Sequence, residues 1–420
     1  MRMLLKNCRI IGPKGAGKPT DILIANGRIE EIAANISAPA KETLTGEDLY
    51  VSAGWVDLGV QACDPGNEHR EDFQTVRAAA AAGGYTGIAL WPDTDPCVDS
   101  KSGISYIQEE SDRHLVDLLP LGALSRGCKG KDITEMIDMR ASGALAFTDA
   151  LHPVSDSGLL LRALQYVRAF DGLIIHFPHD QTIGAHGQMH EGMVSTSLGL
   201  PGIPAISEEL MVARDIQLLE YTGSKLHLSN ISTAGSVNRI RAAKAAGLRI
   251  TCSVPVWNLV FDDTALSDFN SLFKMMPPLR ESEDREALIQ GVLDGTIDHI
   301  SANHVPLEEE HKSLEFPYAS FGVNGLETTF SLLQTYLSER IPIELVATVL
   351  GDNVRRILGL DPVEIAVGQV ANLTVLERSA NWVLSPDKVK SRSRNNPLIG
   401  EPLRGKVRAV LRNDWYIINE

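Results

Sequence analysis

Four histidines, His176, His179, His186 and His190, crowd one short stretch of the chain. Imidazole is the commonest side-chain ligand for a catalytic metal, and three protein ligands leave a position where water is activated. The spacing serves that task poorly. Only His186 and His190 stand four apart, as two ligands on one helix face would. Asp149 follows a strand-like run, where a carboxylate can ligate a metal but more commonly caps a loop. His227 lies inside another such run, the place of a packed core histidine.

Residues of this kind act together only if a set of strands delivers them to one end. Strand-like segments at 55–62, 86–91, 116–121, 144–148, 173–176, 225–228, 249–254 and 297–301 alternate with helical ones such as 207–221, 234–246 and 284–293. In the last, Leu288 and Val292 share a face one turn apart, and Asp284 sits where the helix dipole favours an acid. Eight strands with intervening helices predict a (β/α)8 TIM-type barrel over residues 53–364, with its chemistry at the C-terminal strand ends. A doubly wound open sheet is the competing layout, but no Gly-x-Gly-x-x-Gly follows the first strand. Residues 1–52 and 365–420 read as strands, with Asn26-Gly27 a strong two-residue hairpin signal. They predict a small β-sandwich domain built from both ends of the chain.

With 420 residues and 44% hydrophobic side chains, the chain can bury a large core. A formal charge of −15 argues against nucleic acid or an anionic membrane as partner, since both need a basic face. No apolar run reaches membrane-spanning length, and residues 1–6 are charged too soon for a secretory signal. The five cysteines are odd in number and lack Cys-x-x-Cys spacing, which fits reduced thiols of a cytoplasmic protein.

The segment from Gly54 to Gly66 resembles the first barrel strand of the amidohydrolase superfamily, in its dihydroorotase branch. The frame Asp57-Leu58-x-Val60 followed by Pro65-Gly66 matches, while the family's two metal-binding histidines are Gly59 and Gln61. Its carboxylate-holding arginine is Cys63. Trp91-Pro92-Asp93-Thr94 resembles the second strand end, with Asp93 at the position of a substrate-binding asparagine. Asp93 there would repel an anion, and a turn role before Asp95-Pro96 is the simpler expectation. Phe147-Thr148-Asp149 and Ile174-Ile175-His176 resemble the fourth and fifth strand ends, so the resemblance implies that Asp149 and His176 are retained metal ligands.

Further along, Asn230 replaces a ligand histidine at the sixth strand, and an amide oxygen is a poor substitute for imidazole toward zinc. Met276 replaces a substrate-contacting asparagine just before Pro277-Pro278-Leu279-Arg280, a specific match. At the eighth, Ile297-Asp298-His299-Ile300-Ser301-Ala302-Asn303-His304 places Asn303 where the family has the aspartate that binds metal and carries the proton. Leu307 replaces a substrate histidine. The loop from Gly322 to Thr328 and the segment Asn395-Asn396-Pro397 match as well, so the resemblance spans nearly the whole chain. Structural motifs are kept while four ligand positions, Gly59, Gln61, Asn230 and Asn303, are lost.

The resemblance implies a dihydroorotase-like protein of pyrimidine biosynthesis that is non-catalytic, with no cofactor. Inactive copies in this family serve as structural partners of aspartate transcarbamoylase, and self-association is the other use of such a surface. The alternative is an active cyclic-amide hydrolase with a rebuilt zinc site.

Overall fold

The computed structural model describes residues 2–12, 15–111 and 114–419. Met1, Pro13, Lys14 and Glu420, which fall in the expected terminal domain, lie outside them. The first barrel strand, Trp55–Val60, is buried at every position, as is the second, Tyr85–Leu90. Burial on both faces is what an apolar strand in a helix-covered parallel sheet requires. Asp117–Pro120 continues into Gly122–Ala123 as the third, and Phe147–Thr148, Leu173–His176, Lys225–Leu228, Ile250–Pro255 and His299–Ser301 follow. Neighbouring strands pair in parallel around this series.

The eighth and first strands meet through side chains. Asp57 Oδ1 lies 3.0 Å from His299 Nε2, and both residues are fully buried. Both Asp57 oxygens also accept from the Ala302 N–H at 3.3 Å, and Gln61 N–H donates to His304 O at 3.1 Å. This seam closes the barrel.

Four strands are shorter than their sequence runs, the first ending at Val60 and the third ladder at Pro120. The ladder expected over 144–148 is confined to Phe147–Thr148, although Leu145 N–H still reaches Pro120 O at 3.0 Å. The strand expected from residue 297 starts at His299, because Ile297 N–H is taken by Gly291 O of the preceding helix at 2.8 Å.

Helices cover the barrel. Phe73–Gly83 starts at a capping box, in which Asp72 Oδ1 accepts from Thr75 N–H and Thr75 Oγ1 accepts from Asp72 N–H. Ser282–Leu293 buries Leu288 and Val292, and Asp284 in its first turn accepts from Ala234 N–H at 2.8 Å.

Strands from both ends of the chain form one further sheet. Its order is Trp415–Ile418, Pro402–Arg412, Asn372–Val383, Leu49–Ala53, Arg2–Gly12, Thr20–Ala25, Arg28–Ala33. Met3, Leu5, Ile22, Ile24, Val51, Leu373, Val375 and Leu411 share its core. Asn26 and Gly27 turn the hairpin with φ of 49° and 71°, the double left-handed turn that matches strand twist. Among the described residues, no helix is long and apolar enough to cross a membrane.

Candidate functional site

The C-terminal strand ends, the mouth of the barrel, carry the family-matched residues, some bonded to one another and others to different parts of the chain. At the first strand, Gly59 has φ 104°, and a Cβ built there would lie 2.1 Å from Cζ2 of the buried Trp91. The indole of the second strand end therefore fills the space of a side chain at 59. Gln61 points to the same neighbour loop, its Nε2 donating to Asp93 Oδ2 at 3.0 Å. His152 Nε2 stands 3.7 Å from that oxygen. Asp93 is thus an acceptor between two strand ends, and burial pushes its carboxyl above the ordinary range. Cys63 sits at φ 59°, and burial pushes its thiol up to about 12, far from a reactive thiolate.

At the fourth strand end, both Asp149 oxygens are engaged by Ser125. Oδ1 accepts from the backbone N–H at 2.8 Å and Oδ2 from the hydroxyl. Burial raises this carboxyl as well. At the fifth, His176 has no free nitrogen. Its Nε2 accepts from Val154 N–H at 3.0 Å, which leaves the proton on Nδ1 to bond Asp215 Oδ2 at 2.6 Å. Arg214 holds the other oxygen of Asp215. A lone pair spent on a backbone amide is not available to a cation.

Asn230 and Asn303 face each other across the sixth and eighth strand ends. Asn230 Nδ2 donates to Asn303 Oδ1 at 3.3 Å, and Asn303 Nδ2 donates to Met276 O at 3.1 Å. Ser301 Oγ donates to Asn230 Oδ1 at 2.7 Å, and Asn230 N–H donates to Ser253 Oγ at 3.0 Å. Both asparagines have left-handed φ, 55° and 50°, which Asn tolerates better than most residues. His227 belongs to this buried network, with its ring nitrogens 2.9 Å from Thr251 Oγ1 and 3.2 Å from Ser253 Oγ. Leu307 is buried, and its N–H donates to Asn395 Oδ1 at 3.2 Å.

The histidine stretch does not converge. His186 is exposed, and His179 Nδ1 lies 3.4 Å from Ser207 Oγ. His190 Nδ1 is 3.2 Å from Arg280 Nη1, and burial with that guanidinium pushes its pKa down to about 4. Among the described residues, no three His, Cys, Asp or Glu side chains are grouped so that they could hold a metal ion. The pair of divalent metals that the resemblance implies does not fit these residues. Asp149 and His176 are committed to other partners, and the remaining ligand positions offer a glycine and three amides.

Sequence reasoning missed the pairs that hold the mouth. Asp215 lies 39 positions from His176, on the helix Ile206–Thr222. His304, fully buried, has Nε2 3.4 Å from Glu71 Oε2. Glu71 also accepts from Ser391 Oγ and Arg392 N–H. Against the upward push of burial, His304 and Ser391 hold its carboxyl below the ordinary range. A Glu directly before a helix cap and a His after a barrel strand were the available signals.

The dihydro-orotase-like family profile matches residues 49–236. A dihydroorotase of Thermoanaerobacter sp. (strain X514) is 38% identical over 410 residues, covering 97% of this chain and 95% of the relative. That of Pelotomaculum thermopropionicum is 39% identical over 409 residues, covering 96% of each. Among solved structures, L-hydantoinase (dihydropyrimidinase) from Arthrobacter aurescens superposes with a TM-score of 0.87 at 22% identity, over 99% of this chain and 96% of that one. Dihydropyrimidinase from Brevibacillus agri gives 0.81 at 19% identity, over 100% and 95%. At such identities these two similarities speak for the fold: a TIM barrel with a β-rich domain.

Proposed function

The chain belongs to the dihydroorotase-like family of amidohydrolases, and from that membership we propose that it is a non-catalytic member. In this reading it is kept as a structural companion of aspartate transcarbamoylase in pyrimidine biosynthesis. The observation that carries the first half is the amide pair Asn230–Asn303 at the position of ligand and base. A carboxamide cannot take a proton near neutral pH, and loss of a general base alone costs ~10²–10⁴-fold in rate. The two asparagines are themselves bonded within the protein, to Ser301 Oγ, Ser253 Oγ and Met276 O, while the adjacent Ser229 Oγ and the His304 ring nitrogens are buried without a hydrogen bond among the described residues.

The companion role is supported by charge and by the resemblance to inactive family copies. A net charge of −15 complements a basic patch on a partner, which speeds encounter and fixes register. A stable contact would bury on the order of 1,200–2,000 Å².

The test has two arms. Purified protein supplied with dihydroorotate and zinc, cobalt or manganese should show no hydrolysis, and Asn303→Asp should recover none. Turnover on the order of 1 per second would overturn the reading in favour of an active cyclic-amide hydrolase with a rebuilt site. Co-expression with the transcarbamoylase of the same organism should give co-elution at moderate salt. Separate elution at micromolar concentration, with a transcarbamoylase equally active alone, defeats the companion role.

A further inference from the structure

The loops after the second and third barrel strands bring two thiols into contact. Cys97 and Cys128 are 31 positions apart in sequence, yet their Sγ atoms are separated by 3.2 Å. The loops are tied next to the thiols, just after Cys97 and just before Cys128. Ala123 N–H donates to Val98 O at 2.9 Å, and Gly127 N–H donates to Asp99 Oδ2 at 3.0 Å. Cys97 is half-buried and Cys128 buried, so a reagent from solvent meets Cys97 first.

A disulfide needs sulfurs about 2.05 Å apart, so the gap closes by about 1.2 Å, within reach of small side-chain rotations. A metal dithiolate fits less well. Two Zn–S bonds of about 2.3 Å at a tetrahedral angle hold their sulfurs roughly 3.8 Å apart. Cys128 N–H donates to Ser125 O at 3.0 Å, but neither thiol bonds to a mouth side chain, so the pair does not rest on any reading of catalysis.

We propose that Cys97 and Cys128 form a redox-modification site, which a low-molecular-weight disulfide converts to an intramolecular disulfide. The Cys97 thiolate attacks one sulfur of glutathione disulfide. A protein–glutathione bond forms as the glutathione S–S bond breaks, and one glutathione leaves with the electron pair. Cys128 then gives its proton to solvent and attacks the Cys97 sulfur, expelling the second glutathione thiolate. In balance, two protein thiols are oxidised by two electrons and one glutathione disulfide is reduced to two thiols. In the reduced protein, the hydrogen bond to Cys97 and burial hold the Cys128 thiol well above its ordinary range. Modification of Cys97 removes that hydrogen bond, the larger of these two causes, while burial remains.

The bond would fasten the second strand's mouth loop to the third's, beside the Ser125 that holds Asp149. The experiment is incubation of the full chain with glutathione disulfide at pH 8, followed by intact mass and peptide mapping. The expected product is lighter by about 2 Da, carries a single Cys97–Cys128 cross-link and is restored by dithiothreitol. Its melting temperature should rise by about 4 °C, from closing a loop of this length in a chain of this size. Cys97→Ser should show no mass change at this pair, while Cys128→Ser should stop at the glutathione adduct on Cys97. A persistent adduct on the parent chain, a bond from either residue to another cysteine, or an unchanged mass overturns the proposal.

Discussion

Replacing Gly59 by alanine should destabilise the protein for two separable reasons. Its φ of 104° is left-handed, and an L side chain there costs about 1–2 kcal/mol. The new Cβ would also meet the Trp91 ring at 2.1 Å, and overpacking of this kind costs about 1–3 kcal/mol. The sum is about 2–5 kcal/mol. With unfolding entropy near 2.1 cal/mol/K per residue, 1 kcal/mol moves the melting point of a chain this long by about 1 °C. Gly59→Ala should therefore melt about 2–5 °C below the parent by scanning calorimetry. The steric half alone should vanish when Trp91 is shortened, so Gly59→Ala should cost less in a Trp91→Val background than in the parent. Coupling of about 0.5–3 kcal/mol is the range for residues in contact. Gly59→Ala melting within 1 °C of the parent, or equal costs in the two backgrounds, would refute the reasoning that the indole occupies this place.

Protein purified without added metal should carry no stoichiometric zinc by elemental analysis; one zinc per chain, lost in His176→Ala, would contradict this. Lys312 gives a pH signature. Burial pushes its pKa down to about 7, and its Nζ donates to Ser271 O and Lys274 O at 2.9 and 2.8 Å, the two bonds that a neutral amine can make. The unfolded chain, with an ordinary lysine near 10.4, then binds more protons, so this group's contribution rises with pH above 7. Between pH 7 and 8.5 the gain is about 1.5 kcal/mol, read as a melting point about 2 °C higher and lost in Lys312→Met. Removing one partner of the buried seam, Asp57→Ala, should cost about 3–5 kcal/mol, whereas the exposed pair partner change Arg241→Ala should cost under about 1 kcal/mol. Equal melting points for the two variants would contradict the seam's role.

The alternation of apolar runs and amphipathic segments was enough to locate all eight strands, because a strand buried on both faces is mostly apolar. Their ends were less legible. Residue 297 is apolar and β-branched, yet its amide closes a helix instead of joining the ladder. At the mouth, the losses at Gly59, Gln61, Asn230 and Asn303 stood out against sharp neighbours. What replaced them could not be read, since the fit of Trp91 over Gly59 depends on a strand-to-strand approach that spacing does not encode. Asp215 and His176 illustrate the same limit: an acid on a distant helix satisfies a histidine only once both elements are packed. The Cys97–Cys128 contact was hidden for that reason too, behind a count of five thiols without a motif.

The sheet made from both ends of the chain sets an order of events during synthesis. Leu49–Ala53 pairs with Arg2–Gly12 on one side but with Asn372–Val383 on the other. Roughly 320 residues must emerge between those two partners, which at 5–20 residues per second takes about 16–64 s. Throughout that interval the early strands present an open edge with unpaired amides and carbonyls, the kind of edge that recruits a strand from another chain. The nascent barrel, which lies between the two partners in sequence, is therefore made while its companion sheet is incomplete. A chaperone that shields strand edges would act most usefully in that window, and slowing translation between residues 53 and 372 should lengthen it and lower the soluble yield.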